Sequence, residues 1–538
     1  MPQPSQPDSV APGTVVPGAV ASGAVVPGTV TPGTVARERE IEVKLEADAA
    51  AALPPLAAVP GVASVDPPRE LRLEATYLDT EDGALAAAGI VLRRRTGGDD
   101  AGWHVKIAVD AQHREELQLP LGDADAVPEA LQDAVALAAR GRELVPVARI
   151  ATLRTVHRLR DAAGRELVEV ADDRVTAEGL GAAAGTRDAW REWEAELVDG
   201  EPQQLDAVVA SLRDAGGHAP AAAAKLTRLL PAMAPAAVPS VEVGPDSPAH
   251  ALVGPRLQRL VASLRTLDPL VRADVEEAVH RMRVEVRRLR GLLATARPLL
   301  ERERTEPLRA ELGWLGRALG EARDLEVQRR RLAEQLASEP GEQVIGPVAA
   351  RIDAALAAER RDAHALVLEA MRSSRYFALM DALAALAEAP RWTPRAAGAV
   401  HDVLAPRIRR DLRRMRRRLA RADEATGAER EARLHAARRA VKRVRYAAEL
   451  AEPAYGEPAA LLAGAAQELQ TLLGDVQDAV VARAVLRRLA MPAHLAGESA
   501  FTYGLLHARA QAAADAAIAR LEPVRARAER SRLRRWLR

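Results

Sequence analysis

The chain has 538 residues, with 76 basic against 75 acidic side chains and a net charge of +1. No global field therefore steers it to nucleic acid, and any polyanion site must be a local concentration of cations. It contains no cysteine, which excludes disulfides, thiol catalysis and cysteine-ligated zinc or iron–sulfur centres.

The length exceeds what one core supports and implies several domain-sized units. No apolar run reaches membrane-spanning length, and residues 1–36 lack the basic and apolar regions of a signal peptide, so a soluble cytoplasmic protein is expected. That first segment repeats a Val-x-Pro-Gly-like unit, as in Val16-Pro17-Gly18 and Val26-Pro27-Gly28. Dense Pro and Gly with almost no charge predict a disordered tail without chemistry.

From 37 to 230 short alternating segments are separated by turn signals such as Gly97-Gly98-Asp99-Asp100 and Asp161-Ala162-Ala163-Gly164. Period-two alternation predicts a mainly antiparallel sheet or barrel, with helical insertions near 47–58, 125–140 and 203–215. In a strand, Glu40, Glu42 and Lys44 share one face, and the same spacing recurs at Arg93 and Arg95, Arg114 and Glu116, Arg154 and Arg158, and Glu194 and Glu196. A barrel with these faces inward lines one cavity with carboxylates and cations. Clustered glutamates suit a hard divalent metal, and Arg and Lys suit phosphate oxygens.

The ExExK signature at Glu40, Glu42 and Lys44, with YLDT (Tyr77 to Thr80), LRRR, WHVK ending at Lys106, EVADD (Glu169 to Asp173), WEAEL and Lys225, resembles the CYTH domain of the triphosphate tunnel metalloenzyme superfamily. The resemblance implies a closed antiparallel β-tunnel that binds a triphosphate with Mg²⁺ or Mn²⁺. It assigns metal binding to Glu40, Glu42, Glu194 and Glu196, with Glu116 and Asp173 as further acidic contributors. It assigns phosphate binding to Lys44, Arg93, Arg95, Lys106, Arg154 and Lys225, to which the strand spacing adds Arg158. Glu40, Glu42 and Lys44 are the catalytic candidates, with Lys44 a general base only if neighbouring cations lower its pKa. The chain departs from the family pattern at Gln118, at Ala151 and Leu153, and at Glu74.

A Pro/Ala stretch over 231–248 reads as a linker. From 249 to 538 helix formers at helical period predict an all-α domain, punctuated at Pro298, Pro307, Pro340-Gly341, Pro390, Gly427 and Pro453. Two stretches here carry one pattern: His280, Arg283, Arg287, Arg290 and His435, Arg438, Lys442, Arg445. Steps of three, four and three confine each set to a stripe roughly 80° wide along about 15 Å of helix. Leu319-Gly320 followed by Asp324 recurs as Leu473-Gly474 followed by Asp478, so the region is an internal duplication. Arg288, Arg443 and Tyr446 lie just off the stripes, and the basic run 407–418 is available to extend them.

These repeats, with LGEARD and LGDVQD, resemble the CHAD (conserved histidine α-helical) domain. The resemblance implies two four-helix bundles related by a pseudo-twofold axis, binding inorganic polyphosphate in the basic groove between them. Scarce aromatics disfavour nucleic acid, since stacking platforms for bases are few. The expected fold is thus multidomain α+β, a β-tunnel followed by paired helical bundles. The expected function is metal-dependent hydrolysis of inorganic triphosphate or a related triphosphate, with polyphosphate held by the helices. The alternatives are a non-catalytic, granule-associated polyphosphate-binding protein and, more remotely, an adenylyl cyclase.

Overall fold

The computed structural model describes residues 36–108, 113–122, 126–222, 224–230 and 242–538, with side chains from 41 onward and from 114 onward in the first two segments. The expected N-terminal tail and most of the expected linker lie outside the described residues, as does the side chain of Glu40. Among the described residues no helix is long and apolar enough to cross a membrane.

The N-terminal half runs β1 (Ala36–Glu46), β2 (Ser64–Val65), β3 (Arg69–Asp79), α1 (Ala84–Ala87), β4 (Ile90–Thr96), β5 (Gly102–Ala108), β6 (His113–Leu119), α2 (Glu129–Ala134), α3 (Ala136–Ala139), β7 (Val145–Arg160), β8 (Glu166–Gly179), β9 (Arg187–Leu197), α4 (Pro202–Asp214) and α5 (Lys225–Leu229). The sheet order is β2-β7-β3-β4-β5-β6-β1-β9-β8, and β7 also pairs with β8, so eight strands close into a ring. Strand β1 pairs with β6 over Ala36–Ile41 and with β9 over Glu42–Glu46. All pairings are antiparallel, and the outer faces are apolar where helices cover them, whereas β3, β7 and β8 also turn Arg72, Glu74, Arg149 and Arg174 outward to solvent. Helix α4 covers Leu45, Val168, Val170, Trp193 and Ala195 on one side. Leu92, Trp103, Val105 and Leu117 lie beneath α2 and α3 on the other.

Local chemistry explains two motifs. The buried carboxylate of Asp79 accepts from the backbone N–H groups of Leu85 (2.8 Å) and Ala86 (2.9 Å), and the Thr80 hydroxyl accepts from Ala84 N–H (2.9 Å). The YLDT sequence therefore caps α1 and turns the chain towards β4. Gly97 has φ +80°, and a Cβ there would sit 2.0 Å from the Arg72 carbonyl oxygen, so only glycine fits this turn. The helix expected over 47–58 is instead a single 3-10 turn at Leu56–Ala58, because Pro54-Pro55 bars the preceding residues from helical geometry.

The C-terminal half contains α6 (Ala249–Arg272), α7 (Ala278–Thr295), α8 (Arg302–Ser338), α9 (Val348–Arg372) and α10 (Ser374–Glu388), followed by α11 (Val400–Asp423), α12 (Gly427–Tyr455), α13 (Glu457–Leu495), α14 (Phe501–Ala519) and α15 (Leu521–Ala528). Each half-domain has four long helices and a short fifth, and the second set follows the order of the first. Pro307 and Pro453 do not break the chain as expected but sit inside α8 and α12. Pro307 lies in the second turn of α8 and Pro453 in the last turn of α12, so each interrupts the hydrogen-bond ladder only near a helix end.

The two domains are joined through α6. Arg272, whose side chain is fully buried, reaches Asp133 at 3.3 Å, Asp268 at 2.8 Å and the Met371 carbonyl at 2.8 Å. Arg372 also pairs with Asp133, at 2.9 Å, and Tyr376 donates to Asp268 at 2.7 Å. A second bridge runs from Arg281 on α7 to Glu115 on β6, at 3.6 Å.

Candidate functional site

Strand alternation decides which charges meet. On β1, β4, β5, β6, β7, β8 and β9 the residues Glu42 and Lys44, Arg93 and Arg95, Lys106, Glu116, Arg154, Asp173, and Glu194 and Glu196 fall on the inward faces, opposite in parity to the apolar outer set. Helix α5 closes one end of this interior: Leu226, Leu229 and Leu230 pack with Tyr77, Ile150 and Val175. Lys225 stands at the boundary between this apolar plug and the charged chamber.

The chamber is a dense ion-pair network. Lys225 Nζ donates to Asp173 (2.8 Å) and Glu194 (2.9 Å) and lies 2.8 Å from Glu192. Arg154 grips Asp173 through Nε (2.8 Å) and Nη2 (2.7 Å) and reaches Glu194 at 2.5 Å. Lys44 pairs with Glu194 and, at 3.1 Å, with Glu42, which also takes Arg114. Glu116 accepts from His104 at 2.7 Å and has Lys106 at 3.5 Å and Arg93 at 3.9 Å. Arg158 sits nearer the rim, half exposed, with Glu169 at 3.4 Å and Glu166 at 3.7 Å. The backbone of Glu40 in β1 pairs with that of Arg114 in β6.

Burial and neighbours set the protonation states. Burial opposes the charge on Lys44, but Glu194 and Glu42 overcome it and hold the ammonium above its ordinary range. This is the opposite of the condition under which Lys44 would act as a general base. Burial, with Arg93 and Arg154 close by, pulls Arg95 down to about 9, and its Nε–H has no partner among the described residues. Burial, with Glu42, Glu169 and Glu194 nearby, pushes the Glu196 carboxyl up to about 7 against the pull of Lys106.

Carboxylates crowded this closely fit a divalent cation. Oxygen atoms of Asp173, Glu192 and Glu194 lie within 4.8 Å of one another, and hard oxygen ligands suit Mg²⁺ or Mn²⁺. Glu192 and His104 were not among the site residues expected from sequence, although each lies two positions before an expected one, Glu194 and Lys106, and shares its face. His104 is buried and accepts no charge readily: burial, with Arg93 and Arg95, brings it down to about 4 despite its bond to Glu116. Three of the departures from the family pattern, Glu74, Ala151 and Leu153, have outward parity and do not line the chamber. Gln118 has inward parity and bonds the Asp100 carbonyl at 3.3 Å.

In the helical domain the two stripes lie along α7 and α12, which pack against each other. Gly320 and Gly474 explain the repeated Leu-Gly: a Cβ at Gly320 would stand 3.6 Å from the Arg283 guanidinium, and one at Gly474 would stand 3.2 Å from that of Arg438. Each arginine thus lies across a glycine of the neighbouring long helix. Arg283 donates to Asp324 at 2.8 Å, whereas Asp478 has Arg331 at 3.8 Å. The Nε–H groups of Arg287 and Arg438 are buried without partners among the described residues.

Uncompensated charge is most acute at Lys442. Burial, with Arg438, Arg287 and Arg283 around it, brings its ammonium down to about 6, and Asp324 offsets this only in part. His280 falls to about 4 through burial and then Arg323, with Arg287 and Arg283 adding to it against Glu277. His435 is lowered by burial and by Arg439, Arg438 and Lys442, while its Nδ1–H donates to Gln477 at 2.8 Å. Not every expected cation faces this seam unpaired. Arg288 is held by Glu285 at 2.7 Å and has Glu449 at 3.8 Å, and Arg445 donates to Glu449 at 2.6 Å. Arg290 and Arg443 lie at the far end of the seam, close enough to repel each other.

Comparison with known proteins agrees with this division. The CYTH domain model matches residues 38–229 and the CHAD domain model matches residues 255–487. Uncharacterized protein MT2285 of Mycobacterium tuberculosis (strain CDC 1551 / Oshkosh) is 37% identical over 490 residues, covering 88% of this chain and 93% of that protein. Among solved structures, PptA from Streptomyces chartreusis is 25% identical with a TM-score of 0.43, covering 52% of this chain and 100% of its own. The CHAD domain from the plant Ricinus communis is 22% identical with a TM-score of 0.39, covering 55% of this chain and 96% of its own. With a charged tunnel in its first half and a duplicated histidine–arginine seam in its second, the chain belongs to the CYTH and CHAD domain families, joined in that order.

Proposed function

We propose that the CYTH domain is a divalent-metal-dependent triphosphatase acting on inorganic triphosphate or a similar triphosphate, and that the CHAD domain holds inorganic polyphosphate. The observation that carries this reading is the interleaving of cations and carboxylates around one closed chamber, where Lys44, Arg154 and Lys225 all converge on Glu194. Such a network sets cations against carboxylates when empty and offers both a cation site and an oxyanion site once its internal pairs are exchanged.

Glu42, Asp173, Glu192, Glu194 and Glu196 would hold Mg²⁺ or Mn²⁺, and Glu40 shares their alternation on β1. A bound divalent ion supplies charge neutralisation of phosphate oxygens and a water of lowered pKa. Arg93, Arg95, Arg154 and Lys106 bind the phosphate oxygens, the guanidinium groups as planar forks and the ammonium as a point charge. Their carboxylate partners orient them beforehand, and phosphate oxygens then replace part of those pairs. As charge builds on the leaving oxygen, Lys44 and Lys225, both held protonated, stabilise it. The apolar plug on α5 seals one end of the chamber and limits bulk water there.

The test is phosphate release from inorganic triphosphate with Mg²⁺ or Mn²⁺ by the whole protein beside Glu194→Gln. Metal-dependent release that falls at least a hundredfold in the variant supports the reading. Folded protein that releases no phosphate from triphosphate, nucleoside triphosphates or polyphosphate overturns it in favour of binding alone.

A further inference from the structure

The duplication supplies an internal comparison that exposes a feature of one half only. With α6 and α11 aligned on Pro255 and Pro406, Arg256 and Arg259 correspond to Arg407 and Arg410. Beyond these, α11 continues with Arg414, Arg417 and Arg421, whereas α6 has Ser263, Thr266 and Leu270. The α11 set steps by three, four, three and four, so the five arginines form a stripe along one helix face. The physical reason for the divergence is what each helix faces. The second half of α6 is the seat of the tunnel domain, with Leu267 and Leu270 buried and Arg272 bound to Asp133. Among the described residues the corresponding part of α11 has no such partner, and Arg414, Arg417 and Arg421 are exposed.

The α11 stripe lines a recess of about 450 Å³ together with Arg443 of α12, Arg309 of α8 and the end of α7 at Ala294. Among the described residues Asp411 is its one lining carboxylate. Of its nine arginines, Arg297 and Arg309 pair with Glu306, at 3.1 and 2.9 Å. Among the described residues the side chains of the α11 stripe and Arg443 make no ion pair. The equivalent recess in the first half, lined by Arg256, Arg259 and Arg288, is neutralised: Arg288 has Glu285 at 2.7 Å and Glu449 at 3.8 Å. The residues corresponding to Glu285 and Glu449 around Arg443 are Ala440 and Ala294. Both carboxylates that quench one recess are thus alanine in the other.

A solvated arginine face needs no cavity and gains from interspersed acids. Here acids are missing where the fold offers positions for them. The recess also adjoins the seam, because Arg443 lies close to Arg290 at the end of the α7 stripe. From Arg281, which bridges to the tunnel domain, to Ala294 the helix rises about 20 Å.

We propose that the α11 recess is a second phosphate-binding segment, so that a polyphosphate chain lying in the α7–α12 seam continues past Arg290 and Arg443 onto α11 and leaves the domain on this side only. The inference rests on the polyphosphate reading of the seam and adds a direction to it. Short chains fill the seam, and chains long enough to pass Arg443 gain the α11 contacts.

The experiment measures binding of size-fractionated linear inorganic polyphosphate, short and long, to the whole protein at several salt concentrations. Arg414→Gln/Arg417→Gln/Arg421→Gln changes exposed helix positions and leaves the fold intact, which circular dichroism checks. It is expected to lose about tenfold or more in affinity for long chains, with the salt slope reduced by roughly 0.7 per lost contact, and to bind short chains as the unaltered protein does. Arg256→Gln/Arg259→Gln in the neutralised recess is expected to change neither. Long-chain binding unchanged in the α11 variant, while Lys442→Gln weakens it, overturns the one-sided track and leaves the seam standing. No binding of polyphosphate of any length by the unaltered protein overturns both. A loss in the α11 variant confined to a single-stranded oligonucleotide probe overturns the track in favour of a nucleic-acid surface.

Discussion

Gly291 and Tyr446 occupy equivalent positions in the two copies of the helical repeat and touch each other: a Cβ on Gly291 would stand 3.3 Å from the Tyr446 ring. Contact between equivalent residues is the mark of a twofold relation, so the pseudo-axis of the domain passes here. One turn earlier the equivalent pair is Arg287 and Lys442, and the same relation forces two cations together. The duplication thereby concentrates positive charge in a chain whose net charge is +1.

Lys442 makes that concentration measurable. With its folded pKa lowered to about 6, against an ordinary value of 10.5, the unfolded chain binds the extra proton between these limits. The ligand-free protein therefore gains stability from this group as pH rises from about 6 towards 10, and lacks that gain below 6. An anion in the seam favours the charged ammonium, so polyphosphate binding takes up a proton and weakens as pH rises from 6 to 9. Titration calorimetry in buffers of different ionisation enthalpy reads the uptake. Lys442→Arg, which stays charged, is expected to retain affinity and flatten the pH dependence.

Gly474 tests the seam by shape instead of charge. Gly474→Ala places a methyl group 3.2 Å from Arg438 and shifts its guanidinium by a few tenths of an ångström. Polyphosphate affinity is expected to fall several-fold. Gly464 lies in the same helix with nothing within 4 Å of an added Cβ. Gly464→Ala should stabilise the fold by about 0.5–1 kcal/mol through helix propensity and leave binding unchanged. Thermal unfolding and binding on both variants separate the two effects.

In the tunnel, Arg154 holds Asp173 and Glu194 at once. Arg154→Lys keeps the charge but loses the fork that spans both carboxylates. It is expected to lower kcat for triphosphate by about a hundredfold, as loss of an oriented charge-stabilising donor does. Arg158→Lys, nearer the rim, should change it only a few-fold. Steady-state phosphate release compares them.

The domain junction depends on Asp133, which binds both Arg272 and Arg372. Asp133→Ala leaves the buried guanidinium of Arg272 with Asp268 and one carbonyl, and is expected to cost about 1–3 kcal/mol. Differential calorimetry should then resolve separate unfolding of the two domains where the unaltered protein unfolds in one step.

Much of this was legible from one sequence. Alternation placed Glu42 with Lys44, Arg93 with Arg95, Arg154 with Arg158, and Glu194 with Glu196 on one face of their own strands because strand parity is a local property, and the steps of three and four placed the α7 and α12 stripes for the same reason. The resemblance supplied Lys225, whose short helix gives no local hint that it enters a barrel. The helix expected over 47–58 failed where Pro54-Pro55 outweighed alanine content.

Pairing between distant segments was beyond such reading. The sequence by itself determined which residues share a face and that the helical half is repeated, since both follow from backbone geometry and internal comparison. Only the tertiary structure decided that Glu194 is shared by three cations, that Glu449 quenches Arg288, and that Arg443 makes no ion pair among the described residues. Ion pairs and their absence depend on how whole elements pack, and the energy of a charge depends on burial and on every neighbour brought to it.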